Sequence, residues 1–130
     1  MLLTAGGTTV AVAAEAAREV TRRMTSVRLP GADEFVCGVV NVRGVIVPLV
    51  DLGRLLGTGQ STPNGWVVTL DLGGLRLALA VDLLPVLRAA DAPRGARPSD
   101  RRYLDHEVLV AGASFPLLDV GALADDILLQ

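Results

Sequence analysis

The chain repeats its own pattern of glycine, apolar and acidic residues once, at a nearly constant spacing. Gly6-Gly7 recurs 67 positions later as Gly73-Gly74, and Gly44 recurs 68 positions later as Gly112. The other matched pairs are Val10 and Leu77, Val12 and Leu79, Glu15 and Asp82, Val20 and Leu87, Val40 and Val108, Val42 and Val110, Pro48 and Pro116, Leu49 and Leu117, Asp51 and Asp119, Gly53 and Gly121, and Leu55 and Leu123. A spacing that shifts by only one residue predicts two copies of one structural unit.

Each copy carries the pattern of a small β-rich unit. Apolar runs at 39–42 and 45–50 flank Gly44 and predict two strands joined by a tight turn. Pro48 has no N–H to give, so it is expected at an edge strand or a bulge. Two hairpins, a third strand and a short helix in each copy predict an all-β fold. We expect two five-stranded β-barrel subdomains packed together, because closure removes exposed strand edges.

The repeat also predicts the domain organisation. Residues 1–130 are expected to form a single domain, a suitable length for one sizeable core. The two lobes span roughly 2–57 and 66–126, with terminal strands open to exchange between them. Residues 58–65 are rich in Thr, Gly, Ser and Pro and are predicted to be a linker.

Two stretches are locally ambiguous. Residues 10–24 hold Ala, Glu and Arg, which favour helix, but the matching segment 77–88 contains Pro85. We therefore expect at most one helical turn, around residues 14–17. Residues 89–102 hold four arginines and two prolines and are predicted to be a solvated loop.

Charge and composition exclude several classes of function. The net charge of −2 and the isoelectric point of about 5.2 argue against nucleic acid as the main partner. A single cysteine, Cys37, excludes an intrachain disulfide and a cysteine metal cluster. The sequence has no stretch of 18 uninterrupted apolar residues, so we expect a cytoplasmic protein without direct membrane insertion. Neither a cofactor nor a metal is expected, since the chain carries no motif for one.

The repeat separates polar residues that the fold requires from those that it does not. Positions that keep their residue type in both copies are expected to be structural: Gly44 with Gly112, Asp51 with Asp119, and Asp82 with Glu15. Asp51 precedes apolar residues at helical spacing that end at Gly57, as an N-cap does, so Asp51→Ala should cost about 1 kcal/mol.

Asn41 and Arg43 have no polar counterparts, because Leu109 and Ala111 occupy the matching positions. Asn41 is explained equally well by a local hydrogen bond to the turn or by a partner contact. Arg43 offers five donors in a rigid fork that suits a carboxylate on a partner. We therefore predict an interaction role for Arg43.

The repeated aspartates also allow an enzymatic interpretation. Asp51 and Asp119 each lie in an apolar-Asp-x-Gly sequence, and duplicated β lobes that each offer an Asp resemble aspartic proteases, in which two carboxylates share a proton. In those enzymes a hydroxyl residue follows the aspartate, whereas Leu52 and Val120 follow it here. A hydrolase using Asp51 and Asp119 is therefore kept as a distant alternative.

The stretch 38–44, Gly-Val-Val-Asn-Val-Arg-Gly, followed by Pro-Leu-Val-Asp-Leu at 48–52, closely resembles the signature of CheW-like domains. These adaptors couple chemoreceptors to the histidine kinase CheA. Further similarity lies at 80–82 and 86–88, and the resemblance extends from Leu2 to Leu123. It implies two five-stranded barrels, no catalytic activity, and two partners: the chemoreceptor cytoplasmic tip and the regulatory domain of a CheA-type histidine kinase.

The resemblance also implies a set of partner-binding residues: Arg43, Asn41, Glu19, Val20 and Ile46. The chain departs from the family pattern at Ala14, Ala16 and Ala17, where bulkier residues are usual, and at His106, which replaces a glycine. These departures leave open an adaptor of a divergent chemosensory-like pathway with other partners.

Overall fold

A computed structural model describes residues 1–90 and 103–128 of the chain. In chain order the elements are β1 (Leu2–Ala5), β2 (Thr8–Ala11), a 3₁₀ turn (Ala14–Ala16), β3 (Ala17–Arg22), β4 (Val36–Val42), β5 (Val45–Asp51), α1 (Leu52–Leu55), β6 (Trp66–Leu72), β7 (Leu75–Val81), β8 (Leu104–Val110), β9 (Ala113–Leu118) and α2 (Val120–Leu128). This confirms the all-β prediction and the single helical turn before β3. From residue 91 onward, the loop predicted at 89–102 lies outside the described residues.

The strands form two sheets, and each sheet combines strands from both halves of the chain. The first sheet has the order β1-β2-β9-β8, and the second has the order β3-β6-β7-β5-β4. One parallel contact in each sheet joins the halves, Ala11 to Leu117 in the first and Leu49 to Ala78 in the second. The two packed subdomains are therefore not the two sequence halves. Within the described residues, no backbone ladder closes either sheet into a barrel.

The strand pairing follows the sequence repeat. Glu19 of β3 pairs with Thr69 of β6, and Leu2 of β1 pairs with Val86. The two pairs correspond under the repeat, because Val86 lies 67 positions after Glu19 and Thr69 lies 67 positions after Leu2. The first sheet has only this isolated bridge where the second sheet has the full strand β3. Pro85 precedes the bridge and has no N–H to donate, which is one reason why the segment makes no longer ladder.

An aliphatic core joins the two subdomains. One cluster of buried side chains takes Leu3 from the first sheet, Leu70 and Leu79 from the second, and Leu123 from α2, all with no exposed surface. Burying each such side chain stabilises the fold by about 1.5–3 kcal/mol. Within the described part of the chain, no helix has the length and apolar character needed to cross a membrane.

Pro48 lies in β5, which is flanked by β7 and β4, so the edge-strand alternative is wrong, whereas the β4–β5 register does shift beside this position, as the bulge alternative expected. Its partner on β4, Val39, exchanges both backbone hydrogen bonds with Val27 on the outer side of the strand, at 2.8 and 2.9 Å. The Val39–Pro48 pair is therefore a position at which the β4–β5 ladder has no hydrogen bond. Pairing with β7 begins only at Leu49, so the missing N–H leaves no ladder bond unmade.

The segment 58–65, expected to be a linker, is anchored to the protein. Ser61 is 1% exposed, and its N–H and hydroxyl both donate to the carboxylate of Asp51. Thr62 N–H donates to Asp82 Oδ1 at 2.7 Å. The segment therefore packs as part of the structure and joins the end of β5 to the end of β7.

Candidate functional site

The β4–β5 hairpin ends in a two-residue turn made by Arg43 and Gly44. Their φ angles are 51° and 83°, and two positive values are typical of a type I′ turn. Asn41 Oδ1 accepts a hydrogen bond from Gly44 N–H at 2.8 Å, so Asn41 makes the local bond to the turn. The β8–β9 hairpin repeats this backbone at Ala111 and Gly112, with φ of 49° and 83°. The turn therefore forms without a guanidinium or an amide.

Arg43 forms an ion pair with Glu19 of β3, with 2.7 Å between Nε and Oε2. The hydrogen bond and the charge of Glu19 raise the pKa of Arg43 above its ordinary value. Because β3 and β4 are the two edge strands of the second sheet, this ion pair links its opposite edges. The matching positions in the first sheet hold Val86 and Ala111, which carry no charge.

The ion pair uses only one edge of the guanidinium. The Arg43 side chain is 82% exposed, whereas that of Glu19 is 22% exposed. The bond to Glu19 runs through Nε, so the terminal nitrogens extend into solvent and can still donate to a second carboxylate. Arg43 is thus both anchored and available for a partner contact.

Apolar side chains are exposed beside this charged turn. Ile46 lies opposite Asn41 in the β4–β5 register and is 62% exposed. Val45 and Leu75 are each 39% exposed, and they line, with Ile46 and Arg76, a shallow cavity of about 410 Å³. This surface is formed by the ends of two hairpins, β4–β5 and β6–β7. Leu75 was not predicted to lie on this surface, although an apolar residue directly after the turn Gly73-Gly74 was a signal for it.

The structure brings four of the five expected partner-binding residues together. Arg43 contacts Glu19, and Asn41 and Ile46 belong to the same hairpin as Arg43. Val20 is exposed but follows Glu19 on β3, and successive strand residues point to opposite faces. Val20 therefore lies on the other face of β3 from the ion pair.

The repeated aspartates act on backbone N–H groups. Asp51 caps α1 by accepting from Arg54 N–H at 3.2 Å, and Asp119 caps α2 by accepting from Ala122 N–H at 3.0 Å. Asp82 accepts from Gly6 N–H at 2.7 Å in addition to its bond from Thr62. Among the described residues, no cluster of His, Cys, Asp and Glu is arranged to hold a metal ion.

Cys37 is half-buried near the start of β4, and this burial raises the pKa of its thiol; the charge of Arg23 has a smaller, opposing effect. Because the thiolate is the reactive form, we expect Cys37 to react with iodoacetamide more slowly than a free cysteine. The rate should still increase above about pH 8.5, where an ordinary cysteine is half ionised. Mass spectrometry of samples quenched at several pH values measures this rate. A plateau below that pH would contradict the raised pKa.

Comparison with known proteins agrees with this architecture. The scaffolding protein TtCheW from Thermoanaerobacter tengcongensis has a similar fold, with a TM-score of 0.70, 18% identity, and coverage of 90% of this chain and 85% of that one. The chemotaxis protein CheW of Bacillus subtilis (strain 168) is 32% identical over 50 residues, which is 38% of this chain and 32% of that relative's length. The family model of the CheW-like domain matches residues 1–128, and the chain therefore belongs to the CheW-like domain family.

Proposed function

We propose that this chain is a non-catalytic cytoplasmic adaptor that couples chemoreceptors to a CheA-type histidine kinase. Membership of the CheW-like domain family, over residues 1–128, is the observation that carries the proposal. The expected partners are the receptor's cytoplasmic tip and the kinase regulatory domain. The adaptor role requires an exposed contact surface and no reaction centre.

The end of the second sheet has the character of such a contact surface. Exposed apolar side chains, Ile46, Val45 and Leu75, lie beside the exposed guanidinium of Arg43. Protein interfaces commonly combine apolar anchors with an arginine at their centre. The first sheet lacks this combination at the matching turn, where Ala111 replaces Arg43. The two subdomains therefore offer different surfaces, as a protein that bridges two partners requires.

The contacts of Asp51 and Asp119 favour the adaptor over a hydrolase. A proton-sharing dyad needs two carboxylates that face a common substrate. Here Asp51 is 1% exposed and is bonded to Ser61 and to α1, and Asp119 is bonded to α2. Helix capping thus explains why an aspartate occupies each position, without a catalytic role.

Arg43→Glu is expected to weaken binding of the kinase regulatory domain by about tenfold or more, because it replaces an attractive charge at the interface by a repulsive one. Calorimetric titration with the domain from the same genome measures this change. Arg88→Glu is the matched control, since Arg88 is exposed and lies outside this surface. Thermal melting should show both variants folded. Wild-type affinity in Arg43→Glu would remove Arg43 from the interface.

Swapping the charges of Glu19 and Arg43 distinguishes two roles of Arg43, the internal ion pair and a contact with a partner. The double variant Glu19→Arg with Arg43→Glu restores an ion pair between the same two positions but reverses its direction. If Arg43 meets a partner carboxylate, the double variant should bind as weakly as Arg43→Glu. Recovery of affinity would show that only the internal pair matters. Binding of a receptor tip without binding of the kinase domain would favour the divergent chemosensory pathway.

A further inference from the structure

A cavity of about 830 Å³ opens beside the start of β4, away from the Arg43 turn. Three arginines line it, from two segments of the chain. Arg23 and Arg28 lie in the connection between β3 and β4, and Arg54 belongs to α1. The thiol of Cys37 lies in the same wall and is influenced by the charges of both Arg23 and Arg54. The cavity wall therefore brings together three guanidiniums from two segments, with three carboxylates also in the lining.

These three guanidiniums form no ion pair with a carboxylate within residues 1–90 and 103–128. Other arginines of the chain do form such pairs, namely Arg18, Arg43 and Arg76. Arg23 donates from Nη2 to Cys37 Sγ at 3.7 Å, while its Nη1 is buried without a hydrogen-bond partner. The Arg54 guanidinium donates from Nη2 to the neutral amide of Gln60, at 3.4 Å. A buried cationic donor left in this state is costly, so a nearby anion would stabilise it.

Acidic residues in the cavity wall do not supply this anion. Asp51 already accepts bonds from Ser61 and from Arg54 N–H, and it is 1% exposed. Asp33 and Glu34 are exposed to solvent and pair with none of the three guanidiniums. The three arginines thus keep donors that no carboxylate of the described residues uses, and they line a space large enough for a small molecule.

We propose that this cavity binds a small soluble oxyanion, a phosphate or carboxylate compound, held by Arg23, Arg28 and Arg54. Guanidinium forks suit both groups because each oxyanion accepts two parallel hydrogen bonds. The cavity volume lies within the range of small-molecule sites, about 300–1,000 Å³. This binding role lies beyond the adaptor function and does not depend on it.

Calorimetric titration at constant ionic strength tests the proposal, with inorganic phosphate and succinate as separate probes. Saturable binding of either probe is expected in the wild type, and the stronger probe identifies the oxyanion class. Arg23→Gln and Arg54→Gln should each weaken binding by about tenfold or more, since each removes charged hydrogen bonds. Arg88→Gln is the control and should bind as the wild type does. Saturating probe should also slow alkylation of Cys37.

Arg28→Gln provides a second variant in case a change at Arg23 disturbs folding, because Arg28 is exposed in a connecting segment. Its affinity should also decrease, with an unchanged thermal midpoint. The proposal is overturned if neither probe binds saturably to the wild type, or if all arginine variants bind the probe with wild-type affinity.

Discussion

Replacement of Gly38 by alanine is expected to lower the free energy of unfolding by about 3 kcal/mol, as the sum of backbone strain and a steric clash. Gly38 has a φ of 142°, which side-chain-bearing residues rarely adopt. An alanine Cβ would lie 2.6 Å from the carbonyl carbon of Val27 and closer still to its oxygen. Val27 cannot withdraw freely, because it exchanges two backbone hydrogen bonds with Val39.

Gly112→Ala is the control that isolates the clash from the strain. Gly112 also has a positive φ, 83°, but a Cβ there would meet no atom within 4 Å. Its replacement should therefore cost about 1 kcal/mol. Thermal unfolding should show a decrease in midpoint of about 10 °C for Gly38→Ala and about 4 °C for the control. Equal decreases would show that the contact with Val27 contributes nothing.

The parts of the fold that follow from local pattern could be predicted from the sequence. The repeat and the glycines predicted the hairpins around Gly44 and Gly112. The stretch 10–24, where a long helix was not expected, holds the end of β2, one 3₁₀ turn and β3. The sequence left open whether strands are exchanged between the two lobes. Pairing within one half of the chain and pairing between the halves satisfy the same hydrophobic pattern. Only packing of the whole molecule decides that Leu49 lies beside Ala78.

The candidate site was predictable only to the level of single residues. The repeat singled out Arg43 and Asn41, because their counterparts are apolar. The ion pair between Arg43 and Glu19 joins positions 24 residues apart, and no local pattern fixes such a distance. Ser61 shows the same limit, since a polar residue in a Pro- and Gly-rich segment is expected in solvent. Burial of Ser61 depends on Asp51, a partner that lies in another element.

Asp51→Ala is expected to destabilise the protein by about 3 kcal/mol, more than the loss of a helix cap alone. Beyond its cap bond to α1, Asp51 accepts from Ser61 N–H at 3.0 Å and from Ser61 Oγ at 2.5 Å. Ser61 is 1% exposed, so its N–H would lose its partner with no water to replace it. An unsatisfied buried donor costs about 1–3 kcal/mol in addition to the cap.

Asp119→Ala supplies the matched measurement, because Asp119 occupies the same position of the repeat. Asp119 is exposed, and among residues 1–90 and 103–128 its carboxylate accepts one bond, from Ala122 N–H, so its loss should cost about 1 kcal/mol, as for a simple N-cap. Urea unfolding of both variants against the wild type gives the two free energies on one scale. Because the two sites share the same cap, the difference between the variants measures how strongly Asp51 holds the 58–65 segment. If both variants lose the same free energy, then the anchoring of Ser61 has no net effect on stability.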